Sequence, residues 1–372
     1  MCFRSLRLVV AAVIVLATTP AIAEQPVEIK YSRQEIEARW QARIQSFLDK
    51  GVIPLIDFLS FLPRKDGDGV LGWTMKVMDE TGVALMSFSG YPAKRGNKKE
   101  RYGWGYYIRE IVNRHPDYFI LTTNKGGNFN WWAQKGGKKK HYVDQLERHV
   151  RGGAYPFIGE IEFRHYRAGF QCKVGKGHRD EDIPLNGANG HRVFRLSAET
   201  GVPISIHHDL EDHALAVLEE ILAAYPKARI IVAHFGQIRH REQQKRFGPK
   251  LVRHLLSTYS NLYFDLSTGH PGRHYRCGDH RVLDTVIWDE DRRGRQIDTL
   301  KLAYKAILTE YSDRFVAGFD YGPSNRNSEA FLRKRIKNIR LIMRDLPEEA
   351  KHDIGYRSGW KLLTGKDWGA AK

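Results

Sequence analysis

PISIHHDLEDH, residues 203–213, is an apolar run that ends abruptly in two histidines and an acidic cluster. The run itself is that of a buried strand. Imidazoles where such a strand stops are often satisfied core residues, so the weight of His207 and His208 depends on what other strands bring beside them.

Seven further apolar runs surround this one: IPLIDFLSF (53–61), VALMSF (83–88), YFILTT (118–123), FIGEIEF (157–163), ARIIVAH (228–234), LYFDLS (262–267) and FVAGFD (315–320). Helix-patterned segments separate them, among them GYYIREIVNRH, YVDQLERHV, ALAVLEEILAAY, PKLVRHLLSTY and LKLAYKAILTEY. Turn signals such as HPD, GGAYP, YPKA, YSN and YSD follow these helices before the next strand. Eight strands alternating with helices point to an α/β chain folded as a (β/α)8 TIM barrel. A doubly wound open sheet is the rival, but no glycine-rich phosphate turn follows the first strand. GFQCKVGKGH (169–178) has the wrong spacing for a phosphate loop and lacks the Ser or Thr after its lysine.

Ahead of the barrel, SRQEIEARWQARIQSFLDKG (32–51) reads as a helix, with Ser32 and Glu35 as a capping box and Gly51 as its stop. The chain therefore divides into a secretory signal at 1–23, an N-terminal helical extension at 24–52, and a barrel at 53–372. The signal rests on MCFRSLRLVVAAVIVLATTPAIA, with a basic head, a short apolar stretch and small residues before a cleavage point. That stretch is shorter than the ~20 apolar residues a membrane span needs, and no later segment offers one. A periplasmic or secreted protein is expected. Removal of Arg4 and Arg7 with the signal lowers the formal charge from +17 to +15, an excess that favours anionic partners. Cys172 and Cys277 remain, too few for a disulfide scaffold but able to form one bridge in an oxidising compartment.

In a barrel, the carboxyl ends of the strands share one mouth. Glu160 and Glu162 on the fourth strand, His207 on the fifth, His234 on the sixth and Asp320 on the eighth all fall there. Two imidazoles and carboxylates so placed could hold a divalent ion and activate water. Glu162, Arg164, His165 and His208 stand beside them as candidate substrate-binding residues.

IGEIEF, ETGVPISIHHD, KARIIVAHFG, YSNLYFDLS and SDRFVAGFDYGPS, taken together, resemble the amidohydrolase superfamily, in particular its amidohydrolase-2 and TatD-like branches. The resemblance runs from about Ile53 to Trp368, with LPEEAKHDIGYRSGWKLL similar to the family's closing helices. It implies a (β/α)8 barrel and an enzyme, usually a hydrolase of C–N, C–O or P–O bonds, sometimes a decarboxylase or isomerase. It also implies His207 and His234 as metal ligands, Glu160 as a bridging ligand, and Asp320 as a ligand or as the base that takes the proton of water. One divalent ion is the implied cofactor, zinc among the candidates. The departure lies in the first strand. The family's I-D-x-H-x-H pattern is replaced by IDFLSF, which puts Leu59 and Phe61 where two histidine ligands belong. Three protein ligands plus water still make a catalytic site, and Asp320 acting as base without metal is the alternative.

Three basic runs follow strands two, three and four: KRGNKKER (94–101), KGGKKKH (135–141) and KVGKGHR (173–179). Aromatic residues interleave with them, Trp131 being a further candidate substrate contact. A positive funnel with ring platforms suits a small anionic substrate. Nucleic acid is not expected, since no recognition motif accompanies the charge. Two functions remain open: an exported hydrolase acting on a small anionic ester, lactone, amide or phosphoester, and a catalytically silent barrel that binds an anionic ligand or an envelope partner.

Overall fold

The computed structural model describes residues 28–61, 67–89, 106–123, 142–167, 175, 180–236, 247–277, 280–283, 286–322 and 328–369. Helix α1 (Arg33–Leu48) opens on the expected capping box. The Ser32 hydroxyl accepts from the Glu35 N–H, and the Glu35 carboxylate accepts from the Ser32 N–H. Its buried face of Ile36, Trp40, Ile44 and Phe47 packs at the amino-terminal ends of the second and third strands. There the Trp40 indole donates to the Pro116 carbonyl at 3.0 Å and Arg43 donates to the Ala84 carbonyl at 2.8 Å.

After α1 the chain alternates strand and helix through eight units. The strands are β1 (Leu55–Asp57), β2 (Val83–Phe88), β3 (Phe119–Leu121), β4 (Ile158–His165), β5 (Ile204–His208), β6 (Ile230–Val232), β7 (Leu262–Asp265) and β8 (Phe315–Val316). The helices after them are α2 (Gly67–Thr81), α3 (Tyr106–Arg114), α4 (Tyr142–Arg151), α5 (Ala188–Thr200), α6 (Asp212–Ala224), α7 (Pro249–Thr258), α8 (Leu302–Glu310) and α9 (Glu329–Met343). Strands β1 to β3 pair in parallel, as do β4 to β8. The two sets meet at both seams. A parallel bridge joins Thr122 to Phe157 between β3 and β4, and two more, Asp57 to Ala317 and Ser60 to Tyr321, join β1 to β8. The ring closes as a (β/α)8 barrel, as the alternation of runs implies.

Almost every strand residue is buried, because helices cover the outside and side chains fill the inside. At the β3–β4 seam the fit depends on a missing side chain. A Cβ at Gly159 would stand 2.2 Å from the Ser89 hydroxyl oxygen and 2.9 Å from both Thr122 Cγ2 and the Thr123 carbonyl. Gly159→Ala is therefore expected to destabilise the fold by ~1–3 kcal/mol, the usual range for overpacking. Urea unfolding of the variant checks this, and an unchanged midpoint would show that the seam can open.

Two β-hairpins (His274–Cys277 with His280–Leu283, and Trp288–Glu290 with Gln296–Leu300) interrupt the regular alternation between β7 and α8. The second is tied to the mouth by Trp288, whose indole donates to the Gly269 carbonyl at 2.9 Å. Neither hairpin is foreshadowed by the barrel pattern. Among the described residues, no helix is long and apolar enough to cross a membrane. The leader at 1–23, the three basic runs (except Gly175), Trp131 and the partner cysteine Cys172 lie outside the described residues.

Candidate metal centre at the barrel mouth

Glu160, the third of the eight residues of β4, meets His207 near the carboxyl end of β5 and His234 just past the end of β6, each at most 5% exposed. One donor atom from each lies within 4.8 Å of the others. Glu160 Oε1 stands 3.1 Å from His207 Nδ1 and 3.4 Å from His234 Nε2. A tetrahedral ion with bonds of about 2.0–2.1 Å holds its donors roughly 3.3–3.4 Å apart, so these separations suit a divalent ion. Two nitrogens and one carboxylate oxygen also match the donor chemistry of hydrolytic zinc and of other divalent transition ions. Among the described residues, buried His207 Nε2 has no hydrogen-bond partner, and it lies 3.6 Å from Asp209 Oδ1.

Local backbone geometry aims these side chains. Strand β4 shifts register against β5 between Ile158 and Ile161, and again between Glu162 and Arg164. Such irregularities re-aim side chains near functional sites. After β6 the chain turns sharply, with His234 and Phe235 at φ 56° and 57°. Asp265 braces that turn, since its Oδ1 accepts from the His234 N–H at 2.9 Å and from the Ser267 N–H at 2.9 Å. The Ser267 hydroxyl also donates to Asp265 Oδ1 and lies 2.8 Å from His234 Nδ1. Burial works against a charged His234, but hydrogen bonding to Glu160 and the fields of Asp320, Asp265 and Glu160 outweigh it and lift its pKa to about 9.

Asp320 stands on the rim rather than in this trio. It is at φ 46°, its side chain is 35% exposed, and Oδ2 accepts from Arg335 Nη2 at 3.1 Å. The turn that carries it is held from below by Asp57, whose Oδ1 accepts from the Phe319 N–H at 2.8 Å and the Leu59 N–H at 3.0 Å. Ser60 donates to the other Asp57 oxygen at 2.6 Å. Complete burial, only partly offset by these three donors, pushes the Asp57 pKa up to about 7, and the nearby Asp265 charge adds to the rise. Leu59 and Phe61 pack with Ala233 in a small apolar cluster of their own, so the first strand brings carbon to the mouth where the family pattern brings nitrogen.

The candidate substrate residues are held closely by the protein. Arg164 donates to Glu211 at 2.7 Å, to Asp180 at 2.8 Å and to the Glu181 carbonyl at 3.0 Å, with its guanidinium 3.5 Å from the centre of the Tyr166 ring. His208 Nε2 donates to the Ala214 carbonyl at 2.9 Å, and burial keeps the ring neutral by lowering its pKa to about 4. His165 stacks obliquely on His207 with ring centres 4.3 Å apart, and Glu162 is fully buried in β4 opposite His207. Asp209, Asp265, Ser267 and Arg335 were not singled out by strand-end reasoning. LYFDLS nevertheless carried the signal: its Asp265 occupies a strand end just as Asp320 does.

The amidohydrolase family profile matches residues 122–323, more than half of the chain and all of the metal-site residues. No curated protein matches. Among solved structures, the chain is similar to a 2,6-dihydroxybenzoate decarboxylase from Rhizobium at 11% identity and TM-score 0.47, covering 84% of this chain and 99% of that one. It is similar to a dihydroorotase from Campylobacter jejuni at 10% identity and TM-score 0.46, covering 83% and 82%. A 4-oxalomesaconate hydratase from Rhodopseudomonas palustris matches at 15% identity and TM-score 0.45, covering 88% and 92%. On the strength of the profile match, the chain belongs to the amidohydrolase family.

Proposed function

We propose that this amidohydrolase-family chain is an exported hydrolase that acts on a small anionic ester, lactone, amide or phosphoester. The observation that carries the reading is the convergence of Glu160, His207 and His234 on one buried point at the barrel mouth. These three would hold a single divalent ion, zinc or a similar transition metal. When bound, such an ion polarises a carbonyl or phosphoryl oxygen and lowers the pKa of water.

The remaining work falls to the chain's own residues. Asp320, exposed enough to meet water and oriented by Arg335, accepts the proton of the attacking water. The side chains of the Leu59–Phe61–Ala233 cluster offer no donor or acceptor, so polar groups of the substrate are engaged by other residues of the mouth. The formal charge, +17 for the full chain and +15 once Arg4 and Arg7 leave with the leader, supports an anionic substrate, and the leader-like first 23 residues support periplasmic or secreted placement. That same apolar cluster favours the second reading, a silent barrel that binds an anionic ligand.

Protein purified without chelator is expected to carry about one equivalent of a divalent ion, and His234→Ala to lose it. Elemental analysis of both proteins is the test. A metal-free parent whose turnover ignores chelators would remove the metal and leave Asp320 chemistry standing. A parent that turns over no member of a panel of anionic esters, lactones, amides and phosphoesters would favour the silent barrel.

A further inference from the structure

Resting on the hydrolase reading, we propose that Arg335 receives the carboxylate of a carboxylate-bearing ester, lactone or amide and holds it beside Asp320 on one guanidinium. Arg335 lies on α9, is 8% exposed, and sets its guanidinium 5.0 Å from the centre of the Phe331 ring. A guanidinium carries five N–H donors, and burying it is costly unless they are used. Among the described residues, the side chain makes a single hydrogen bond, from Nη2 to Asp320 Oδ2 at 3.1 Å, and the buried Nε has no partner. The one carboxylate it meets is itself 35% exposed, so water screens the pair.

Arg164, at the same mouth, shows what an arginine with its donors in use looks like. Its Nε donates to Glu211, and its Nη1 donates to Asp180 and to the Glu181 carbonyl. Arg164 thus holds two carboxylates, whereas Arg335 holds one, through one nitrogen. A second carboxylate would complete the fork. One turn further along α9, Asn338 Nδ2 donates to the Thr268 carbonyl at 3.0 Å, which leaves Asn338 Oδ1 as a buried acceptor without a partner among the described residues. A phosphate would bring more negative charge toward this acceptor and Asp320 than a carboxylate does, so the corner favours the carboxylate. The placement also serves the reaction. Against burial, and next after the Glu160 hydrogen bond, the field of Asp320 raises the His234 pKa, so the base already acts on the trio. An arginine that grips base and substrate together fixes the distance between them, which is how orientation contributes to rate.

The probe is benzoate, titrated by calorimetry into the full-length protein freed of metal, so that no ion competes for the carboxylate. Arg335→Gln is expected to weaken binding ~10–100-fold, the usual effect of losing hydrogen bonds to a charged group. Arg335→Lys keeps the charge but not the fork, and should fall between the two. Asp320→Asn removes the neighbouring negative charge and should tighten binding up to ~5-fold. His234→Ala should bind benzoate as the parent does, and phosphate should bind the parent more weakly than benzoate. Thermal unfolding verifies each fold, and if Arg335→Gln does not fold, the Asp320→Asn titration decides. Benzoate binding that is absent in the parent, unchanged in Arg335→Gln, not tightened in Asp320→Asn, lost in His234→Ala or weaker than that of phosphate overturns the proposal. A parent that binds benzoate through Arg335 yet hydrolyses nothing on the panel fails the hydrolase reading and leaves the carboxylate site standing.

Discussion

Asp320→Asn is expected to lower turnover ~10²–10⁴-fold, the usual effect of losing a general base. The substitution keeps the shape of the side chain and an oxygen that can accept from Arg335, but not the ability to take a proton. Asparagine also tolerates the left-handed backbone at φ 46°, so the β8 turn has no reason to rearrange. Metal content should stay at the parental level, because Glu160, His207 and His234 form the candidate metal trio without it. The measurement is kcat on the best substrate from the screening panel, with thermal unfolding to verify the fold. A folded variant that turns over at the parental rate would take Asp320 out of the chemistry.

The second large effect concerns pH and comes from Asp57. Its pKa is raised from 3.8 to about 7 by complete burial, so the folded state binds this proton more tightly than the unfolded chain. Stability therefore falls as pH rises from the unfolded value toward the folded one, and the loss levels off above pH 7. At ~1.4 kcal/mol per unit, the loss between pH 5 and pH 8 is about 2–3 kcal/mol. Asp57→Asn removes that dependence. The Asn oxygen keeps the Leu59 and Phe319 N–H bonds, and its amide can donate to Ser60. Urea unfolding of parent and variant at both pH values gives the test. The variant should gain about 2–3 kcal/mol relative to the parent on going from pH 5 to pH 8. An unchanged difference would mean that Asp57 stays ionised in the folded protein across that range.

The barrel could be read from the chain because its signal is repetitive. Each of the eight apolar runs, from IPLIDFLSF to FVAGFD, contains a strand of the ring, and the named helical segments between them are helices. The hairpins after β7 could not, since His274–Leu283 and Trp288–Leu300 alternate too briefly among charged residues to announce themselves. At the site, His207 and His234 were legible because a strand end in a barrel has one known destination, whereas Glu160, expected at a strand end, is the third residue of the eight-residue β4. Which donors close to contact distance was not, because that depends on register shifts in β4 and on sharp turns after β6 and β8. The supporting residues were least legible of all. Ser267 and Asp209 are tied in by hydrogen bonds that span from 2 to 43 residues of sequence, and no spacing rule encodes them.

The left-handed turns at His234 and Asp320 carry a consequence for anyone who evolves this protein toward heat resistance. Each forces a side chain into a conformation that costs of order 1–3 kcal/mol and that glycine would adopt freely. A selection that scores survival alone would be drawn to glycine at both positions and would return robust barrels without the imidazole of His234 and the carboxylate of Asp320. Selection for survival and turnover together should leave residues 234 and 320 untouched and find its gains on the helices, where none of the described non-glycine residues takes the left-handed backbone.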